Sequence, residues 1–263
     1  MMRSLMTAGT GMVAQQINLD VIANNLANVN TTAYKGQRAE FQDLMYQTYR
    51  AAGASTGGSS RLPQAEQVGL GVEFTGNATS MAGGALQATN NPFDVAIIGE
   101  GFFQVERPDG TIAYTRDGGF KQDANGLLVT QDGYPLIPNI TIPTGAKAVT
   151  ISPNGVVTAV LPGSDDATEI ETVQLALFPN PGGLTRIGQN LFTANAASGT
   201  ATVVSPGGAE GAGQLRAGFI EGSNVQIVEE MVRMILAQRA YEINSKAVQT
   251  ADDMLGILSN LKR

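Results

Sequence analysis

Leu5, Met12, Leu19 and Leu26 recur every seven residues at the start of this chain, with Ala8, Ile22 and Val29 on the positions offset by three. At the far end Ile227, Met234, Tyr241, Val248 and Leu255 repeat at the same interval, joined by Met231, Ala251 and Leu258. A seven-residue apolar repeat is the period of a helix that packs along another helix. The long stretch between the two stripes is rich in Gly and turn residues, with short β-type runs. The expected fold is therefore α+β: N- and C-terminal helices form a coiled-coil-like domain around an all-β middle. Such a chain is built to be held by its ends, which points to assembly rather than catalysis.

The first helix is expected over residues 4 to about 29, with Gly9 and Gly11 near its start and Asn24, Asn25 and Asn28 near its end. Gly and Asn are poor helix formers, so this helix is marginal alone. The second is expected from about 224 to 261, with Ser223 or Asn224 as N-cap and Glu229 and Glu230 in its early turns; Lys262 and Arg263 follow at the C-terminus. Residues 50–63, RAAGASTGGSSRLP, read by composition as a flexible linker. In the middle, Asp109-Gly110, Asp117-Gly118, Asn125-Gly126, Asp132-Gly133 and Asn154-Gly155 punctuate short runs such as IAYT and GLLVT, the pattern of hairpins. VQLALF (173–178) is the last strong strand signal, and 179–216 shows little periodicity. The domain division expected is 1–35 plus 222–263 (helical), 36–75 (extended, with an insertion at 46–63) and 76–221 (β-rich).

Composition narrows the function. The 263 residues carry no Cys and no His, which removes disulfides, thiolate zinc sites, Cys nucleophiles and Ser-His triads. The net charge of -7, with scattered Lys and Arg, is unlike a nucleic-acid footprint. No run approaches the ~18 apolar residues of a membrane span, and the opening MMRSLMTAGTGMVAQQ lacks a signal-peptide core. Hydrophobic residues are 43% and charged ones only 15%, a weakly charged surface suited to close subunit contact or simply to a loop-rich β protein.

No motif carries convincing chemistry. Gly99-Glu100-Gly101 lacks the third Gly of a dinucleotide fingerprint and reads as a turn. Asp165-Asp166, Glu229-Glu230 and Asp252-Asp253 are adjacent in sequence, so each pair points to different faces and reads as solvated surface. Asp123-Ala124-Asn125-Gly126 lacks the remaining ligands of a calcium loop. The stripes themselves could belong to a helical hairpin covering the β body. Gln15, Gln238, Asn244 and Ser245 interrupt them, and buried polar interruptions of this kind set register and partner number, favouring assembly.

IANNLANVNTTAYKG (22–36) resembles the N-terminal signature of flagellar basal-body rod and hook proteins, carried by Asn24, Asn25, Leu26, Ala27, Asn28, Asn30, Thr31, Tyr34 and Lys35. NNPFDVAIIGEGFFQV (90–105), YTRDGGFKQDANGLLVTQDGYPL (114–136) and EEMVRMILAQRAYEINSKAVQTADDML (229–255) resemble that family's central and C-terminal segments. The length, the 46–63 segment and GLTRIGQNLF (183–192) are most similar to the branch that builds the distal rod. Ala33 departs from the family's usual Gly before the aromatic-Lys pair.

The resemblance implies a structural, non-enzymatic subunit without cofactor or metal. It would self-assemble into the hollow drive shaft that crosses the periplasm, leaving the cell by type III export without a cleaved signal. Its partners would be copies of itself, proximal rod proteins, the hook protein, the surrounding outer-membrane and peptidoglycan rings and a rod cap or assembly factor, with no nucleic acid and no direct membrane insertion. Leu5, Met12, Leu19, Ile22, Leu26, Val29, Ile227, Met231, Met234, Tyr241, Val248, Leu255 and Leu258 are then the expected subunit-packing seams. A proximal rod or hook-type subunit is the alternative within the family. A cell-wall carbohydrate-processing enzyme is the alternative outside it.

Overall fold

The computed structural model describes residues 2–57, 60–161, 166–208 and 211–261. Gly58 and Ser59 of the 46–63 segment, Asp165, Lys262, Arg263 and the side chain of Leu258 lie outside the described residues. The chain is α+β, with a helix at each end and a β-rich middle. It divides into two compact units, one of Met1–Ala27, Gln37–Thr79 and Gln226–Arg263, the other of Asn28–Gly36 and Ser80–Val225.

The helical unit contains α1 (Met2–Ala27), β1 (Gln37–Asp43), β2 (Tyr46–Arg50), β3 (Ser55–Gly57), β4 (Ser60–Arg61), β5 (Glu66–Gly69), β6 (Val72–Thr79) and α2 (Ile227–Leu261). The two helices pack on each other, and α1 also packs on β1 and β6. Small residues are buried on both. Ala14 is buried on α1, Ala237 and Ala251 on α2, and a Cβ added to Gly11 would come within 2.9 Å of Asn244 Nδ2. Helix separation is set by the side chains at the contact, so small ones let the axes close up.

Strands β1 to β6 nest as three hairpins, β1 with β6, β2 with β5 and β3 with β4, all antiparallel. Together they make one long two-stranded ribbon, so the stretch that composition reads as a linker is hydrogen-bonded across. Gly53 N donates to Leu62 O at 2.8 Å and Leu62 N to Ala54 O at 3.0 Å. A lone two-stranded ribbon is marginal in water, and this one leans on α1, where Val72 N donates to Thr10 Oγ1 and Arg3 lies 5.3 Å from the Tyr49 ring.

The β unit runs β7 (Leu86–Ala88), β8 (Val95–Ile98), β9 (Phe102–Glu106), β10 (Ile112–Thr115), β11 (Lys121–Gln122), β12 (Leu128–Val129), β13 (Leu136–Ile137), β14 (Ala148–Ile151), β15 (Val156–Val160), β16 (Ala167–Thr172), β17 (Leu175–Leu177), β18 (Thr185–Gly188), β19 (Leu191–Thr193), β20 (Thr202–Val204), β21 (Gln214–Ala217) and β22 (Phe219–Glu221). Its main sheet has the order β18-β19-β10-β9-β17-β20, with β13 also paired to β9. Alternation along β9 fills two cores: Phe103 and Val105 face the larger one with Leu128, Leu136, Ile140 and Leu175, while Phe102 joins Tyr114, Phe178 and Phe192. The segment after 178, without periodicity in the sequence, supplies β18, β19, β20 and β21. Strands of three or four residues are too short to show a period.

The expected hairpins form at Gly110, Gly126 and Gly155, each with positive φ between paired strands. Asp117-Gly118 is different. It sits after β10, where Val95 N donates to Gly118 O at 3.0 Å and a Cβ on Gly118 would overlap the Val95 carbonyl. That Gly is needed for close approach, not for a turn.

Candidate functional site

The signature segment lies at the end of α1 and the loop beyond it, and its polar residues act as structural ties. Asn25 is buried at 2% exposure; its Nδ2 donates to Gln37 O at 2.7 Å and its Oδ1 accepts from Gln37 N at 2.9 Å. The amide thus mimics a strand partner and fixes the end of α1 to the start of β1. In the β unit, Thr31 N donates to Asn28 O and Thr32 Oγ1 to Asp117 Oδ2 at 3.0 Å. Ala33 holds φ +54, a left-handed conformation unusual for a residue with a Cβ, and its N–H donates to Glu221 O at 2.7 Å. The Arg186 guanidinium lies 5.2 Å from the Tyr34 ring and 5.6 Å from that of Phe192, and it donates to Lys35 O.

Lys35 ends in a buried ionic cluster. Its Nζ is 2.6 Å from Glu221 Oε1, with side-chain exposures of 0% and 1%, and it also donates to Ala82 O at 2.8 Å. Glu221 Oε1 accepts a second bond from Gly84 N at 2.8 Å, and Oε2 accepts from Arg116 Nε at 2.9 Å. Arg116 spends its other donors on the carbonyls of Gly99, Gly101 and Ile97. The Gly99-Glu100-Gly101 element is therefore the cradle of an arginine. Burial pushes the Glu221 carboxyl up, but Arg116, Lys35 and Gly84 N–H together hold it below the usual carboxylate range. Burial pulls Lys35 below the usual lysine range, and the one carboxylate it shares with Arg116 does not make up the difference.

Asn224 completes this junction. Its Oδ1 accepts from Gly36 N at 2.7 Å, while its Nδ2 donates to Ser80 O at 2.9 Å and Ala82 O at 3.1 Å. This replaces the expected N-cap role, because α2 begins only at Ile227. Glu230, expected on a solvated surface, is 6% exposed. It borders a hollow of about 420 Å³ formed by α1, β1 and α2, where Arg233 Nη1 donates to its Oε1 at 3.1 Å and its Oε2 has no partner.

The expected seam positions fall into two groups. Ile22 is buried, and Leu5, Met12, Leu19, Leu26, Met234, Val248 and Leu255 are half-buried within the helical unit; half-buried Val29 belongs to the β unit. Ile227, Met231 and Tyr241 are exposed. They share α2 with exposed Val228, Val232, Ile235, Leu236 and Ile243, and α1 adds Met2, Met6 and Val13. Among the described residues, every exposed large apolar side chain except Ile98, Ile112, Ile187 and Val203 lies in the helical unit. A concentration of exposed apolar side chains larger than single scattered ones points to an interaction site. Sequence reasoning passed over Arg116, Arg186 and Glu221, since a lone charged residue gives no periodic signal. Among the described residues no carboxylate cluster is suited to a metal, and no helix is long and apolar enough to cross a membrane.

Two helical ends, a signature loop tied by buried charges, and an apolar surface left open define a subunit made for assembly. The chain belongs to the flagellar basal-body rod family. Residues 5–35 match the family "Flagella basal body rod protein", 96–159 match "Flagellar hook protein FlgE/F/G D1 domain", and 216–261 match "Flagellar basal body rod FlgEFG protein C-terminal". It is 51% identical to the flagellar basal-body rod protein FlgG of Borreliella burgdorferi, with the whole of both chains covered. The FlgG proteins of Agrobacterium fabrum and Bacillus subtilis are 48% and 40% identical, over 99% and 100% of this chain and all of theirs. Its resemblance is thus to FlgG, the distal rod protein, and it is a structural rod subunit located in the flagellar basal body.

Proposed function

We propose that the chain polymerises through its helical unit, with α1 and α2 of successive copies forming a coiled-coil-like inner tube around an export channel and the β unit forming an outer layer. The observation that carries this reading is the concentration of exposed apolar side chains in the helical unit. Burying each at an interface is worth about 1.5–3 kcal/mol, so a dozen registered contacts would hold a shaft under load. Leu5, Met12, Leu19, Ile22, Leu26, Ile227, Met231, Met234, Tyr241, Val248, Leu255 and Leu258 are the proposed seam, with Val29 at its margin.

The ribbon carrying residues 46–63 would wedge between neighbouring copies and stiffen the shaft. The chain would act without catalysis, cross the periplasm after export without a cleaved signal, and meet proximal rod proteins, the hook protein, the surrounding rings and an assembly factor. Free helices with so much apolar surface would order fully only on a growing tip. Electron microscopy of the concentrated protein is the test. Straight hollow tubes are expected, and a strictly monomeric protein at every concentration tried would overturn the reading.

A further inference from the structure

We infer that Lys35, Arg116 and Glu221 form a register lock, a set of positioning residues that fix where the chain leaves the β unit, rather than a device for stability. The inference rests on the reading of this chain as an assembling subunit. The lock lies where three segments come together. Lys35 and Gly36 immediately precede β1; Ser80, Ala82 and Gly84 immediately follow β6; Glu221 and Asn224 immediately precede α2. Each stretch of chain passing to the helices or the ribbon is thus bonded to the same cluster, together with the base of α1's exit loop through Ala33 N and Glu221 O.

As a stabiliser the cluster is poorly chosen. Two cations share one carboxylate, all three are nearly inaccessible, and the excess positive charge is desolvated. Buried ion groups of this kind are commonly matched or bettered in stability by apolar side chains of similar volume. What apolar groups cannot supply is direction. Every bond here has a defined partner: the carbonyls of Ala82, Ile97, Gly99 and Gly101, the N–H of Gly84 and the two oxygens of Glu221. A one-residue slip of β22 would carry Glu221 away from both cations and strand them unpaired. Buried polar groups are best attested in this use, setting a register at the expense of stability.

The test compares two full-length variants with the parent. In Glu221→Gln the shape is kept and the charge removed. In Lys35→Met/Arg116→Met/Glu221→Leu the cluster is made apolar. Three readouts are taken: thermal melting, hydrogen exchange of residues 28–36, 80–84 and 221–225, and tube formation with swimming of a complemented strain. The triple variant is expected to melt within a few degrees of the parent or above it, to lose exchange protection in those three segments, and to form at least tenfold fewer tubes. Parent-level assembly by either folded variant would overturn the lock. So would loss of assembly that merely tracks a loss of melting temperature in Glu221→Gln. Should the triple variant fail to fold, Glu221→Gln alone decides by the same criteria. If the parent itself forms no tubes, the assembly reading fails separately, and the lock stands or falls on whether exchange rises in the three segments alone.

Discussion

The β unit and the helical unit solve opposite problems with the same kinds of residue. In the β unit Phe103, Val105, Leu128, Leu136 and Leu175 are at most 1% exposed, and Lys35, Arg116 and Glu221 are buried and paired. Among the described residues, the buried apolar residues of the helical unit are small or branched, namely Ala14, Val21, Ile22, Ala39, Ala237 and Ala251, while its larger apolar side chains are half-buried or exposed. One unit is finished when it folds. The other leaves much of its apolar surface exposed, the surface proposed above to be covered by further chains. A mutation should therefore act on stability in the first and on assembly in the second.

The largest effect expected is from Ile235→Asp. Ile235 is 54% exposed, so the melting temperature of the monomer should not move, whereas tube formation and swimming should be abolished. Swimming at the parent level would break the comparison. Next comes Phe103→Ala, which should destabilise the β unit by about 3–5 kcal/mol through cavity formation. Urea unfolding monitored by circular dichroism measures this, and Val232→Ala on the exposed face of α2 should stay within about 0.5 kcal/mol in the same assay.

Acid should also separate the units. Glu221 sits below its usual range in the folded chain, so the stability it contributes is present above the unfolded carboxylate value of about 4.3 and is lost as pH falls through the folded value. Urea midpoints measured from neutral pH downward should show this acid limb, and Glu221→Gln should flatten it. Lys35 acts on the alkaline side with the same sign of pH dependence. Its lowered folded value means that stability rises as pH climbs from that value toward about 10.4. The smallest effect is expected from Ala33→Gly. Relieving a Cβ at φ +54 should stabilise the loop by about 1 kcal/mol, visible as a small rise in melting temperature.

Particular residues show how far periodicity reaches. The heptads locate α1 and α2 to within a few residues at each end, because helix period and length survive in sequence. They favour the large apolar positions, yet the buried positions of the two helices include Ala14, Ala237 and Ala251, and Gly11 lies against Asn244. Hairpin glycines 110, 126 and 155 are legible from local backbone chemistry. Asp117-Gly118 has the same letters and a different role, since the need for Gly there comes from the carbonyl of Val95. The ribbon over 50–63 is hidden for a related reason: Gly and Ser carry no pattern, and pairing with a facing strand gives them one.

Local order along the chain thus decides the helical ends, the β character of the middle and the kinship with rod proteins. Those properties depend on neighbours within a turn or a hairpin. The partnership of Lys35 with Glu221 spans 186 residues and that of Arg116 with Glu221 spans 105. Only the folded chain brings such residues together, and only folding divides the apolar side chains into those that are covered and those left exposed.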